Sequence, residues 1–294
     1  MTIEALKKRI KTTEDLREIV STMKSLSSVS ILQYEQANNA LEKYRDNLQD
    51  AFHAYVRKEG LPSQPNLLGK KSYLIILIGS DSGMVGKFNK EIILRAKAEL
   101  KKNNINWKDV LFLTVGKRIT MLAEQAKFKI YAKYPIANSV KMVNSIAETV
   151  IMKLDEATQK EGVNRVAVWY HKKVKNASVS LHKDEIIPFD TSSLLELKNK
   201  PWETNNVPLL PLDKKQMFSA LLSEYLSIAV ASQLNYSLAA EHYTRMTNMQ
   251  NAEKNIDESL VRLNQEYQQK RQDEITEELI DVVSGSEALH QKKQ

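Results

Sequence analysis

The chain has 294 residues, 42% of them hydrophobic and 27% charged, with no cysteine and a formal net charge of +7. That length supports one or two domains with a real core, and zero cysteine excludes disulfides, thiolate metal sites and cysteine nucleophiles. The longest apolar run, Tyr73 to Ile78, is six residues, against about 20 needed to cross a bilayer. The opening MTIEALKKRIK has no apolar stretch of the signal-peptide kind, so the expected compartment is the cytoplasm.

The excess charge sits in the middle of the chain. Residues 61–212 hold 24 basic against 14 acidic residues, and residues 213–283 hold 7 against 12. The lysines are scattered rather than clustered, which reads as a solvated basic surface and not as a nucleic-acid site.

Glycine and proline divide the chain further. Of 15 such residues, 14 lie between Gly60 and Pro211. The first 59 residues therefore read as one long helix, with apolar positions at Leu6, Ile10, Val20, Met23, Tyr34, Leu41, Leu48 and Tyr55. The central segment then alternates. Strands are expected at Ser72–Ile78, Asp109–Val115, Asn164–Tyr170 and Ala177–Ile187, and helices at Phe88–Leu100, Lys117–Ala126 and Ser139–Lys160. That order predicts a small Rossmann-like α/β domain with a largely parallel sheet.

From Leu212 to Ser284 there is again no glycine or proline. Tyr225, Ala229, Ser232, Tyr236, Ala239, Tyr243 and Met246 step by alternating fours and threes, the seam of a coiled coil. Asp213 with Gln216 forms the start signal, and Gly285 is the expected stop. Helices of about 55 and 70 residues would reach on the order of 80 and 105 Å, so the two are expected to pair antiparallel as a shaft. The predicted organisation is a first shaft helix over 1–60, an α/β domain over 61–212 and a second shaft helix over 213–294.

Catalytic signatures fail when tested. The turn Gly79-Ser-Asp-Ser-Gly83-Met-Val-Gly86-Lys87 follows a strand and opens a helix, but Asp81 stands where both phosphate-binding templates need their first glycine. Phe88 replaces the hydroxyl residue that follows a P-loop lysine. No two histidines have zinc-protease spacing, no nucleophile elbow is present, and the neighbouring carboxylates Asp155–Glu156 and Glu277–Glu278 diverge by about 100° on a helix. No cofactor and no metal site is expected.

The C-terminal helix carries a resemblance. Glu241-His-Tyr-Thr-Arg245-Met246 and Leu263-Asn-Gln-Glu-Tyr267-Gln-Gln-Lys-Arg271-Gln272-Asp-Glu-Ile275-Thr276-Glu-Glu278-Leu279 resemble the γ subunits of F-type ATP synthases. Leu6-Lys-Lys-Arg9-Ile10-Lys11, Met23-Lys24 and the turn Ser80–Asn89 resemble that family's opening helix and central turn. The chain departs from the pattern at Ser82, where the family usually has arginine, and at Lys87, where it usually has glycine.

The resemblance implies a non-catalytic rotor shaft that couples ion flow through a membrane ring to ATP synthesis or hydrolysis. The implied partners are the α and β subunits of the catalytic ring, the ε subunit and the membrane-embedded c-ring, at the cytoplasmic face of a bacterial inner membrane. The residues it implies for coupling and partner contacts are Met23, Glu241, Arg245, Arg271, Gln272, Thr276 and Glu278, with Leu263, Tyr267, Ile275 and Leu279 facing the seam or an apolar bearing. The alternative is a non-motor coiled-coil scaffold, which has no reason to carry the Tyr267–Leu279 motif. Whether the coupled ion is a proton or sodium is decided in other subunits.

Overall fold

The computed structural model describes residues 2–62, 72–174, 178–190, 192–202, 206 and 208–291, with side chains throughout except at 193 and 285–291. The chain forms two compact units, Met1–Ser27 with Met246–Gln294, and Ser28–Arg245.

Two helices span nearly half the sequence, α1 (Ile3–Glu59) and α6 (Lys214–Gln291). Helix α1 stops at Gly60, whose φ of +75° is open to glycine at little cost and whose N–H closes on the Val56 carbonyl at 2.9 Å. Helix α6 starts where expected. The Asp213 carboxylate accepts from the Lys215 and Gln216 amides at 2.9 and 3.0 Å, satisfying two of the donors a helix start leaves free. Gly285 does not end it, and the helix continues to Gln291. A glycine costs about 1 kcal/mol inside a helix but supplies no stop unless the chain turns there.

In the unit built from the chain's two ends, the helices run antiparallel. Lys7 lies over the Tyr267 ring, Arg17 pairs with Asp257, and Lys24 pairs with Glu253. Leu6 and Leu263 are buried between them at 3% and 2% exposure.

The other unit is an α/β domain packed on the remaining halves of the two helices. Its strands are β1 (Ser72–Ile78), β2 (Val110–Val115), β3 (Lys129–Tyr134), β4 (Val163–Val174) and β5 (Ser178–Ile187). They stand in the order β3-β2-β1-β4-β5, parallel except for the antiparallel β4–β5 pair. Ala177, the expected first residue of the last strand, lies outside the described residues.

Helices α2 (Phe88–Lys102) and α3 (Lys117–Gln125) cover one face through Ile92, Ala96, Ile119 and Ala123. The opposite face receives α4 (Val140–Glu161) and, beside it, α6 itself. A short α5 (Ser192–Asn199) follows the sheet. Strands β1 and β2 are buried on both sides, which is why they read as unbroken apolar runs.

Helix α6 is buried on nearly every face from Val230 to Glu241. Leu226, Val230, Leu234 and Leu238 pack into the sheet's core, and Tyr236 reaches Glu42 on α1. Tyr225, Ser232 and Tyr243 of the expected seam are only half-buried, because the sheet and not α1 takes the greasiest side. An 18-residue window within the helix has a mean hydropathy of 1.2, apolar enough by length and composition alone to cross a bilayer. A third of that window is buried within the protein.

Candidate functional site

In open α/β sheets, ligands bind beyond the carboxyl ends of adjacent strands whose connecting helices lie on opposite faces. Here those strands are β1 and β4, since α2 leaves β1 on one face and α4 enters β4 from the other. The turn tested above for phosphate binding, Gly79 to Lys87, opens onto this crevice. Helix α6 fills it. Ser237 Oγ donates to the Ile78 carbonyl at the end of β1 at 3.4 Å, and Ala240, fully buried, packs on Val85 and Phe88.

The turn's polar groups are committed to its own architecture. Asn89 Oδ1 accepts from the Ser80 amide at 2.9 Å, while its Nδ2 donates to Ser80 Oγ at 2.8 Å. Asp81 Oδ1 accepts from the amides of Lys117 and Ile136 at 2.7 and 3.2 Å, stitching the turn to the starts of α3 and α4's approach. A phosphate would have to displace these bonds. The aspartate that breaks both phosphate templates is thus a structural tie.

Arg245 and Glu241 meet at this turn. They form an i,i+4 ion pair at 2.5 Å with side chains only 9% and 5% exposed, so the pair is buried and not solvated. Arg245 Nη2 also donates to Ser82 Oγ at 2.7 Å, and its Nη1 lies 3.3 Å from His242 Nδ1. Burial raises the Glu241 carboxyl to about 7 against the opposing pull of Arg245. His242 stacks on Tyr34 of α1, and burial next to Arg245 lowers it to about 4. A second buried histidine, His171 on β4, stacks on Phe88 at 3.9 Å and is likewise lowered to about 4 by burial, with Glu91 opposing.

These shifts set a pH dependence. Two histidines held below their usual 6.5 make the unfolded chain bind more protons, so their stabilising contribution is present above that value and is lost as pH falls toward 4. Glu241, raised above the usual carboxylate value, acts oppositely and withdraws stability as pH rises toward 7. The net expectation is a chain that loses stability on acidification from pH 7 to 5, at roughly 1.4 kcal/mol per pH unit for each uncompensated proton. Thermal melts of His171→Leu with His242→Leu are expected to lose or reverse this slope. An unchanged slope would remove the histidines from the account.

The remaining expected site residues lie in the other unit. Met23 is half-buried, and its carbonyl accepts from Ser27 Oγ at 2.8 Å. Arg271, Gln272, Thr276 and Glu278 are all exposed, with Thr276 Oγ1 turned back onto the Gln272 carbonyl. Among the apolar set, Leu263 is buried and Tyr267 half-buried, but Ile275 and Leu279 are 47% and 61% exposed and do not enter the helix–helix seam. Ser82, Asn89 and Ser237 were not singled out as site residues. Their partners stand 163, 9 and 159 residues away, and only the short Ser80–Asn89 spacing was open to reading.

A family model described as ATP synthase matches residues 2–289. The chain belongs to that family. The ATP synthase gamma chain of Pelagibacter ubique is 29% identical, covering 98% of this chain and 99% of that one. The gamma chain of Fusobacterium nucleatum is 24% identical with the same coverage. Among solved structures, a chain of the Euglena gracilis mitochondrial ATP synthase OSCP/F1/c-ring assembly superposes with a TM-score of 0.66 at 16% identity, covering all of this chain and 96% of its own. A chain of the same organism's rotor gives 0.63 at 15% identity, covering 93% and 99%. At that identity the likeness is one of fold. This gamma chain is a non-catalytic subunit, and α6 occupies the crevice where a nucleotide-binding relative of its sheet would hold ligand.

Proposed function

We infer that this gamma chain is the central shaft of a rotary ATP synthase. Its helix pair turns within a ring of α and β subunits while its α/β domain stands beside the membrane rotor ring, in contact with the ε subunit. The complex lies at the cytoplasmic face of a bacterial inner membrane. Ion flow turns the membrane ring and shaft together, and the asymmetric shaft drives each catalytic subunit through its nucleotide states. ATP hydrolysis runs the same rotation in reverse.

The observation that carries the reading is apolar surface that the pairing of the two helices leaves uncovered. In the end-to-end unit, Leu16, Ile19 and Leu26 on α1 are 50–63% exposed, and Ile275, Leu279 and Val282 on α6 are 47–70% exposed. Surfaces of this kind mark partner contacts. A torque-bearing rod also needs stiffness, and neither described helix contains proline.

In this reading Arg271, Gln272, Thr276 and Glu278 touch the surrounding ring. Alanine at all four, in the assembled complex, is expected to reduce ATP hydrolysis and coupled ion transport, while leaving assembly intact. Proline at Leu260 breaks the helix and is expected to abolish both. Wild-type rates in the alanine set, beside loss in the proline variant, would mean that the rod matters and these contacts do not.

Arg245, Glu241 and Met23 are assigned to coupling. For Arg245 and Glu241 the buried geometry supports action through the Ser82 turn, which fixes the α/β domain on α6. Met23→Lys places a new cation on a half-buried helix position and is expected to lower ATP-driven ion pumping more than ATP hydrolysis. Equal retention of both in the assembled complex would count against Met23.

A further inference from the structure

Helix α5 and Phe189 just before it were absent from the sequence reading, and they close one wall of a cavity in the α/β unit. Its volume is 360 Å³, within the lower part of the range of small-molecule sites. The interior is apolar and aromatic: Leu48 and Phe52 from α1, Phe189, Leu194 and Leu197 from the α5 segment, and Tyr225 from α6. Leu48, Phe52 and Leu194 are 8%, 3% and 1% exposed, so these walls are core side chains held by their neighbours. Phe52, Phe189 and Tyr225 brace one another, Phe189 meeting Tyr225 edge-on at 5.0 Å. The cavity is therefore preformed.

The rim differs in kind. Arg45 and Lys200 line it together with Gln49 and Glu196. The carboxylate nearest to Arg45 among the described residues is Glu42, at a loose 3.9 Å, and Arg45 is 46% exposed. Lys200 makes no ion pair among the described residues. Among the residues that line the mouth, Arg45 and Lys200 stand against the single carboxylate Glu196, and an incoming carboxylate would compete with Glu42 for Arg45.

We propose that this cavity binds a single-chain amphiphile with an anionic head, a fatty carboxylate, its chain against Phe189, Leu197 and Tyr225, which are only half-buried, and its carboxylate between Arg45 and Lys200. A long alkyl chain gains by leaving water for an apolar pocket that needs no reorganisation. A guanidinium at the rim then offers paired donors to the carboxylate. The site is independent of the rotor reading, since it uses none of the residues assigned to coupling.

The test is titration of the full-length chain with carboxyl-labelled decanoate, followed by carbon NMR and by calorimetry. Saturable binding of one equivalent is expected, with a dissociation constant on the order of 0.1 mM. Arg45→Gln with Lys200→Gln, both at the surface and therefore compatible with folding, is expected to weaken it at least about tenfold. Decyltrimethylammonium, with the same chain and a cationic head, is expected not to bind. Leu197→Phe, at a half-buried wall position, narrows the cavity without touching its charge and is expected to weaken decanoate as well. Wild-type affinity in the double variant, equal binding of the cationic amphiphile, or no saturation with decanoate would each overturn the proposal.

Discussion

Replacing Arg245 with alanine is expected to cost the chain about 3–5 kcal/mol of stability, the penalty for stranding one member of a buried ion pair. Glu241 and Arg245 are 4% and 7% exposed, so water does not replace the lost partner. Glu241→Gln keeps an acceptor near the guanidinium and leaves Arg245 its bond to Ser82, so a smaller loss of about 1–2 kcal/mol is expected. The sign with pH distinguishes the two. In Arg245→Ala the carboxyl loses the cation that restrains its upward shift, so the deficit grows as pH rises through 7. In Glu241→Gln that dependence disappears. Urea unfolding at pH 6 and pH 8 measures both, and a loss below about 1 kcal/mol in Arg245→Ala would return the pair to the status of a surface contact.

Gly79→Ala is expected to be as damaging, for a steric reason. A Cβ there would stand 2.4 Å from Asn89 Oδ1 and 2.4 Å from Ile119 Cβ, both buried. Either Asn89 gives up its bond to the Ser80 amide, or α3 shifts off the sheet. Overpacking of this kind costs typically 1–3 kcal/mol, and the orphaned amide adds about 1–3 more. Gly83→Ala, four residues on, is the control. Its Cβ would meet the far end of the Arg118 side chain at 3.0 Å, which can swing away. Denaturation midpoints that fall equally for both would mean that the turn is not locked as described.

The two long helices, β1, β2, β4 and β5 were legible because their residues obey one local rule each: absence of breakers, or an unbroken apolar run between turn residues. Strand β3, Lys129-Ile-Tyr-Ala-Lys-Tyr, was missed because it is a sheet edge with lysines at both exposed positions, which dilutes the apolar signal. Helix α5 was missed because its eight residues between serines and Asn199 carry too short a pattern. The four-residue spacing of Glu241 and Arg245 was readable, but their burial was not. That depends on Ser82, 163 residues away from Arg245, and on a sheet that wraps the helix. Gly285 misled because a glycine permits a stop without enforcing one.

The unit that joins Met1–Ser27 to Met246–Gln294 has a consequence for synthesis. Arg17 and Asp257 are 240 residues apart, so the first helix emerges from the ribosome long before its partner exists. At about 5–20 residues per second, that interval lasts on the order of 10–50 s. Throughout it, Leu6, the partner of α6 in the finished seam, and the stripe Leu16, Ile19 and Leu26 are all without cover. The α/β unit, whose sheet contacts close over shorter spans, is expected to fold before the two ends pair, which pulse-labelled hydrogen exchange would check. On that order the first residues meet the last only at the end, a step of very high contact order.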